Sequence, residues 1–428
     1  MKRKLIAAMG IAGMMVSVAA CGGGNSDNGD SGKNAGPDSF KGQTLTVWTM
    51  DGSVPDQWTK DVTAAFEKKT GAKLKFEIQK WDGIQQKITT ALSEDNPPDV
   101  LEVGNTQTPA YAATGGLAEL GDLKQQIGTD WAPSVSQSAV YDGKQYAAPW
   151  YFANRVVIYN KKIWAKAGIK GTPKTRDEFF KDLDTIGKKT DAEPLYLPGQ
   201  NWYFFDGLTI GQGADLVKKD GGKYVSNLAD PKVAQAMEIY KRYASYSKAP
   251  KDKDEATPQQ AQVFAKGKTG AFIGMGWEAG TAIAANKSIE KDLGYFTIPG
   301  ATAGKPEGVF LGGSNLAIAQ GSKKQALAKE FLKIALSDTY EGELAKLNGV
   351  IPNKLSLETN LKGNAVAEAA APGAQVGGTT PLIPEWAAVE NTPNPIKSYM
   401  TSVLEGKSPA AAAKQVEGDI NKRLAQQN

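Results

Sequence analysis

Apolar and polar positions first fall into a regular pattern at residue 43. Residues 43–50, QTLTVWTM, are rich in β-branched and aromatic side chains and predict a strand. Trp58, Val62, Ala65 and Phe66 then recur at helical spacing over 55–68. Gly71 closes that helix, and KLKFEIQ at 73–79 alternates as a second strand. A second helix is expected over 83–92, stopped by Pro97-Pro98, and Asp99–Val103 reads as a third strand. The order βαβαβ implies a parallel sheet with helices on its faces. Ligands meet such sheets at the loops beyond the carboxyl ends of the strands. Here those loops are Asp51-Gly52-Ser53, Lys80-Trp81-Asp82 and Gly104-Asn105-Thr106-Gln107.

Further along, VYDGKQYAAP at 140–149 reads as a hairpin with Asp142-Gly143 as its turn. Trp150, Tyr151 and Phe152 follow, then Asn154 and Arg155, and a strand at 156–159. A helix over 173–188 has Thr175 as its N-cap and Glu178 three residues on. PLYLPGQNWYFFD at 194–206 has little periodicity and reads as a loop or wall carrying Asn201 and Trp202, with a helix start that packs its rings internally as the alternative. Helices are expected over 230–246 and 258–264, and a buried strand over 268–276 that ends at Trp277-Glu278. A helix over 281–286, a strand over 293–298, a glycine-dense stretch and a strand at 314–319 come next. A strong helix over 323–336, GVIPN at 349–353 and a last helix near 409–425 complete the pattern. The chain thus enters a second domain near residue 150, returns near 312 and crosses a third time near 350.

Composition narrows the class. The 428 residues suffice for two domains with their own cores. There are 50 basic and 46 acidic side chains, and without Lys2, Arg3 and Lys4 the balance is 47 to 46, no footprint for nucleic acid. The absence of histidine removes a histidine base or a histidine-ligated zinc. Met1–Lys4 and the apolar run at 5–20 have the form of a signal peptide. Val18-Ala19-Ala20-Cys21 resembles a lipobox, which would acylate the single cysteine, Cys21. Residues 21–42 are mostly glycine, serine, asparagine and aspartate with one aromatic, the composition of a flexible tether. The order is export, lipid, leash and domain, on the outer face of a membrane.

Chemistry is sparse. No GxGxxG follows a strand and no GxxxxGK[ST] occurs, so nothing points to a nucleotide. No acidic run has calcium-loop spacing, and no cofactor or metal is expected. Asp51, Asp82, Glu102 and Glu278 offer carboxylates of the kind a glycosidase pairs. Rings beside a guanidinium and an amide at 150–155 suit sugars, whose C–H faces stack while their hydroxyls need directed partners. The same residues also suit an aromatic-rich approach to a core strand.

Several stretches together resemble the family 1 extracellular solute-binding proteins, the carbohydrate-binding lipoproteins of bacterial ABC importers. They are the lipobox, LTVWTMDG at 45–52, PPDVLEVGN at 97–105, GGLAEL at 115–120 and PWYFANRVVIYNKKIWAKAGI at 149–169. GKTGAFIGMGWEAG at 267–280, GGSNLAIA at 312–319 and GVIPNK at 349–354 continue the match in order. The resemblance implies a two-lobed α/β fold of the maltose-binding-protein type, with several hinge crossings. One lobe would comprise 43–150 and about 312–350, the other about 151–311 and 351–428. It further implies a monomer that closes over a di- or oligosaccharide and delivers it to permease subunits served by a cytoplasmic ATPase. First-lobe contacts would be Asp51, Trp81, Asp82, Asn105 and Gln107. Trp150, Tyr151, Asn154 and Arg155 would lie near the hinge. Asn201, Trp202, Trp277, Glu278, Gly313, Ser314, Asn315 and Trp386 would complete the cleft, with Trp277 and Trp386 as stacking rings.

Nine tryptophans suit a ligand with several stacked faces. Branched α-glucosides, β-linked cello- or xylo-oligomers and N-acetylated chitobiose-like units remain open. A surface adhesion or sensor module would share the cleft without transport. The alanine- and glycine-rich body behind a lipoprotein leader fits a Gram-positive bacterium.

Overall fold

The computed structural model describes residues 39–128 and 130–426. The leader, Cys21 and most of the tether lie outside the described residues.

The first lobe is built on a six-stranded sheet. Its strands are β1 (Thr44–Met50), β2 (Lys73–Gln79), β3 (Val100–Gly104), β4 (Ala147–Ala153), β9 (Gly312–Ile318) and β10 (Ile351–Pro352). The second lobe holds β5 (Val156–Asn160), β6 (Glu193–Tyr196), β7 (Thr269–Gly274) and β8 (Leu293–Phe296). The first sheet runs β10-β4-β9-β3-β1-β2 and the second β8-β5-β7-β6. β1 pairs parallel with β2 and β3, as the βαβαβ pattern requires, whereas β9 is antiparallel to both β3 and β4.

Alternation on β1 explains how the first lobe is filled. Leu45 and Val47 face Trp58, Val62 and Phe66 of the helix Asp56–Thr70, and Phe331 of the helix Gln325–Ala335. Met50 faces the other way, where Leu101 and Val103 meet Ile84 and Ile88 of the helix Ile84–Leu92. Gly71 ends the Asp56–Thr70 helix at φ 70°, a left-handed cap that costs glycine no Cβ strain. In the second lobe every residue of β7 is buried. Phe179, Phe205, Tyr240, Tyr243 and Tyr399 from the surrounding helices close over that sheet.

Three segments link the lobes. β4 passes through Asn154 and Arg155 into β5, the segment after β8 returns to β9, and β10 lies beside β4 before the chain leaves again. The C-terminal helices Ala365–Ala374, Trp386–Glu390, Pro395–Leu404 and Pro409–Leu424 contribute to the second-lobe core. Among the described residues no helix is long and apolar enough to cross a membrane.

Two expectations are corrected. Residues 202–211 form a helix, not a loop or wall: Asn201 caps it by accepting from the Phe204 amide, and Phe204 and Phe205 enter the core. The reason is tertiary, because Tyr240 and Tyr399 receive those rings, and sequence periodicity does not show them. Likewise the helix after β7 starts at Gly276, so Trp277 and Glu278 occupy its first turn and do not end a strand.

Candidate functional site

The site begins with a carboxylate inside an apolar strand. Glu102 is wholly buried in β3, VLEVG, at the end where β1 and β3 finish. Its Oε2 accepts from the Met50 amide at 2.7 Å. Its Oε1 accepts from Ser53 Oγ at 2.7 Å, Tyr151 OH at 2.8 Å and Ser314 Oγ at 2.6 Å. Burial raises the Glu102 pKa, opposed first by the Ser314 hydrogen bond and then by the Met50 amide, Ser53 and Tyr151. One side chain thereby ties the β1 loop to both crossing strands, β4 and β9. Asn105 adds to it: its amide donates to Gly313 O at 3.0 Å and its side chain to Leu311 O at 3.0 Å. Asn315 Nδ2 donates to Thr108 Oγ1 at 2.9 Å and Ser138 Oγ at 3.1 Å. At Gly313 any Cβ would meet Tyr151 O at 2.3 Å, so the crossing strands need glycine there.

Two indoles remain open to solvent. Trp81 is 45% exposed and Trp277 44%. Trp81 and Gln107 both lie against Gly104, and Tyr111 OH donates to Gln107 Oε1 at 3.1 Å. Asp51 is exposed and pairs with Lys80 at 2.5 Å, and Asp82 is also exposed. Asn348 Nδ2 donates to Gly52 O at 3.1 Å and Ser53 O at 2.9 Å. The next residue, Gly349, abuts Gly276 at the start of the Trp277 helix. These contacts set the Asp51–Ser53 loop and Trp277 beside the same crossing.

The second-lobe wall is aromatic and charged. Arg155 pairs with Glu255 at 2.6 Å and lies 5.4 Å from the Tyr203 ring centre. Tyr203 stacks on Phe310 with centroids 4.5 Å apart, and Trp202 lies between Tyr203, at 3.9 Å, and Trp386, at 6.3 Å. Tyr203 OH donates to Glu390, whose buried carboxyl also lies close to Thr106 of the first lobe. Burial raises the Glu390 pKa, opposed by Tyr203 and Thr106. Gln85 Nε2 adds a second bridge to Ala387 O at 3.1 Å. The two lobes therefore touch at these points.

Not every residue singled out in the sequence is placed to touch a ligand. Trp150 packs on Trp58 at 5.6 Å within the first-lobe core, so it fills space there instead of lining the cleft. Asn201 is a helix cap, and Asn154 donates to Ala370 O at 3.2 Å. Glu278 accepts from the Met275 amide at 2.7 Å and Gln260 Nε2 at 2.9 Å, and burial pushes its pKa up to about 7. Trp386 is wholly buried, with an indole N–H that has no protein partner. Asp51, Trp81, Asp82 and Trp277 are exposed and Gln107 is half-buried, while Trp202 and Arg155 are buried among second-lobe rings. Sequence reasoning placed Ser53 and Thr106 in ligand-end loops without a role, and passed over Tyr203, Glu255 and Glu390. Nothing local marks them except an acid amid apolar neighbours, as in WAAVE.

Of the four carboxylates offered for a glycosidase pair, Glu102 and Glu278 are buried and held by protein donors, whereas Asp51 and Asp82 are exposed. Among the described residues no cluster of side chains fits a metal. A cavity of about 590 Å³ lies between Phe152, Ile351 and the helix Ala365–Ala374, and none of the site residues singled out in the sequence lines it.

Comparison with known proteins follows the same lines. The model for bacterial extracellular solute-binding proteins matches residues 51–342. The chain is 75% identical over 427 residues to the diacetylchitobiose binding protein DasA of Streptomyces coelicolor, covering 100% of both. It is 25% identical to the galactooligosaccharide-binding protein of Bacillus subtilis, over 95% of this chain and 94% of that one. The structure superposes on the GacH receptor of Streptomyces glaucescens, solved unliganded and with acarbose, at a TM-score of 0.78 and 25% identity. That match covers 90% of this chain and 99% of that one.

Proposed function

This chain belongs to the bacterial extracellular solute-binding protein family, and we propose that it captures an N-acetylated disaccharide for an ABC importer. The observation that carries this reading is 75% identity from end to end with a diacetylchitobiose binding protein. The site's chemistry supports it. Trp81 and Trp277 offer faces for two pyranose rings, and the ligand's uncharged amides and hydroxyls suit Gln107, Asp51, Asp82 and the second-lobe wall. The near-neutral charge of the chain after the leader, 47 basic to 46 acidic, weakly disfavours polyuronates.

The protein binds and does not catalyse. Its lobes close over the sugar, and the closed form is the one recognised by membrane permease subunits that a cytoplasmic ATPase drives. Acylated Cys21 anchors a monomer on the outer face of a Gram-positive cell membrane, with 22–42 as leash. Because β4 and β10 belong to the first-lobe sheet, the first lobe comprises about 43–153 and 312–352 and the second about 154–311 and 353–428, a few residues beyond the sequence boundaries at 150 and 350.

A thermal-shift panel tests the ligand class. N,N′-Diacetylchitobiose should raise the melting temperature well above cellobiose, maltose, xylobiose and free N-acetylglucosamine, since a ligand of the folded state alone must stabilise it. A larger shift with an unacetylated disaccharide would move the assignment to that linkage. No shift with any sugar would reject carbohydrate binding.

A further inference from the structure

One end of the second lobe concentrates positive charge. β5 runs away from the crossing, β7 and β8 are antiparallel to it, and β6 is parallel to β7. The end of β5 and the starts of β6, β7 and β8 therefore share the pole remote from Trp277. Four connecting segments meet there: 161–170, 188–193, 266–268 and Lys287–Asp292. Lys162 pairs with Asp292 at 2.8 Å, Asn286 Nδ2 donates to Ala265 O at 2.7 Å, and the Glu193 amide donates to Lys268 O at 2.9 Å. Together these segments carry ten lysines and four carboxylates, and all ten lysines are exposed. Only Lys162 and Lys287 are in ion pairs.

The rest of the body offers a contrast. Near the far pole of the first lobe, Lys69, Lys73 and Lys324 are paired with Glu330, Glu67 and Asp99. Without the pole's ten lysines and four carboxylates, the 47 basic and 46 acidic side chains after the leader fall to 37 and 42, so the lysine excess stands on a body that is otherwise acidic.

The kind of partner follows from what else the pole presents. The large apolar side chains left exposed are Ile78, Trp81, Trp277, Leu347 and Val376, none of them in the pole. A protein interface needs an apolar or aromatic centre and disfavours lysine. A surface of lysines on flexible stems, with no arginine, suits diffuse attraction to many phosphates. We propose that this pole docks on anionic phospholipid headgroups and holds the second lobe against the membrane, with the cleft left free. This contact goes beyond sugar capture and does not depend on the lipid on Cys21.

Vesicle co-sedimentation tests the docking. The chain from Gly22 onward retains both cores, whose members run from Phe40 to Leu424, and carries no lipid. It should sediment with vesicles of equal parts phosphatidylglycerol and phosphatidylcholine, and not with phosphatidylcholine alone. Raising salt from about 50 to about 500 mM should release it, because screening shortens the reach of each charge. The fourfold variant Lys166→Glu, Lys170→Glu, Lys266→Glu, Lys291→Glu should bind at least about tenfold more weakly, with the melting shift by sugar unchanged. Four reversals at Lys41, Lys60, Lys346 and Lys407 serve as control and should leave more of the binding intact. Equal sedimentation with both vesicle types, none with either, or equal loss in both variants would overturn the proposal. Binding to soluble polyphosphate but to no vesicle would also overturn it.

Discussion

Trp81 and Trp277 keep nearly half their surface in solvent, while Trp58, Trp150 and Trp386 keep none. That difference separates two kinds of mutation. Trp277→Ala should weaken disaccharide binding by about 10- to 100-fold, the loss of one stacked face and its desolvation, with little change in melting temperature. Trp150→Ala should instead destabilise the chain by about 3–5 kcal/mol, read by urea unfolding, since its cavity opens beside Trp58. Asp206 makes a separate prediction. Burial, with Asp215 and Glu390 nearby, pushes its pKa up to about 8, and its Oδ2 has no partner. A carboxyl whose folded pKa lies above the unfolded value near 4 favours the fold below that value. The contribution fades as pH climbs through about 8. Melting temperature should therefore fall from pH 5 to pH 8.5, and Asp206→Asn should flatten that slope. An unchanged slope would assign the fall to other buried acids such as Glu341, also near 8.

The elements were legible in the sequence where pattern and tertiary context agree. KLKFEIQ became the strand Lys73–Gln79, and Thr175 became the cap of Arg176–Lys189, accepting from the Glu178 amide while Glu178 accepts from Lys174. Asp142-Gly143 turns between Val140–Tyr141 and Lys144–Gln145 with both residues at positive φ. Elements went unread where partners lie far off in sequence. The Trp202–Gly211 helix is apolar nearly all round, so it lacks the stripe that periodicity detects. The Glu102 hub draws donors from residues 49, 49 and 212 positions away, a convergence that no local pattern encodes. Glu102→Ala would leave those buried donors unmatched and should cost about 3–5 kcal/mol, with loosening at the crossings seen as faster amide exchange in β4 and β9. Exchange rates unchanged there would deny the hub its role in holding the hinge.

At the scale of the molecule, the lobes meet through Thr106 and Tyr203 on Glu390 and through Gln85 on Ala387. If these contacts break when the cleft opens, they bias the same equilibrium that the sugar biases. Glu390→Ala should shift the ligand-free chain toward the open form, with a larger radius of gyration by X-ray scattering, and the disaccharide should partly restore compactness. A radius indifferent to both the substitution and the sugar would show that these contacts do not govern closure. The central claim is that this chain binds an N-acetylated disaccharide and leaves it intact. Calorimetric titration of N,N′-diacetylchitobiose into the chain, followed by chromatography of the recovered sugar, addresses both halves. The account predicts one site per chain, binding sharply weakened by Trp277→Ala, and the disaccharide recovered whole. Absence of heat, or recovery of free N-acetylglucosamine, would contradict it.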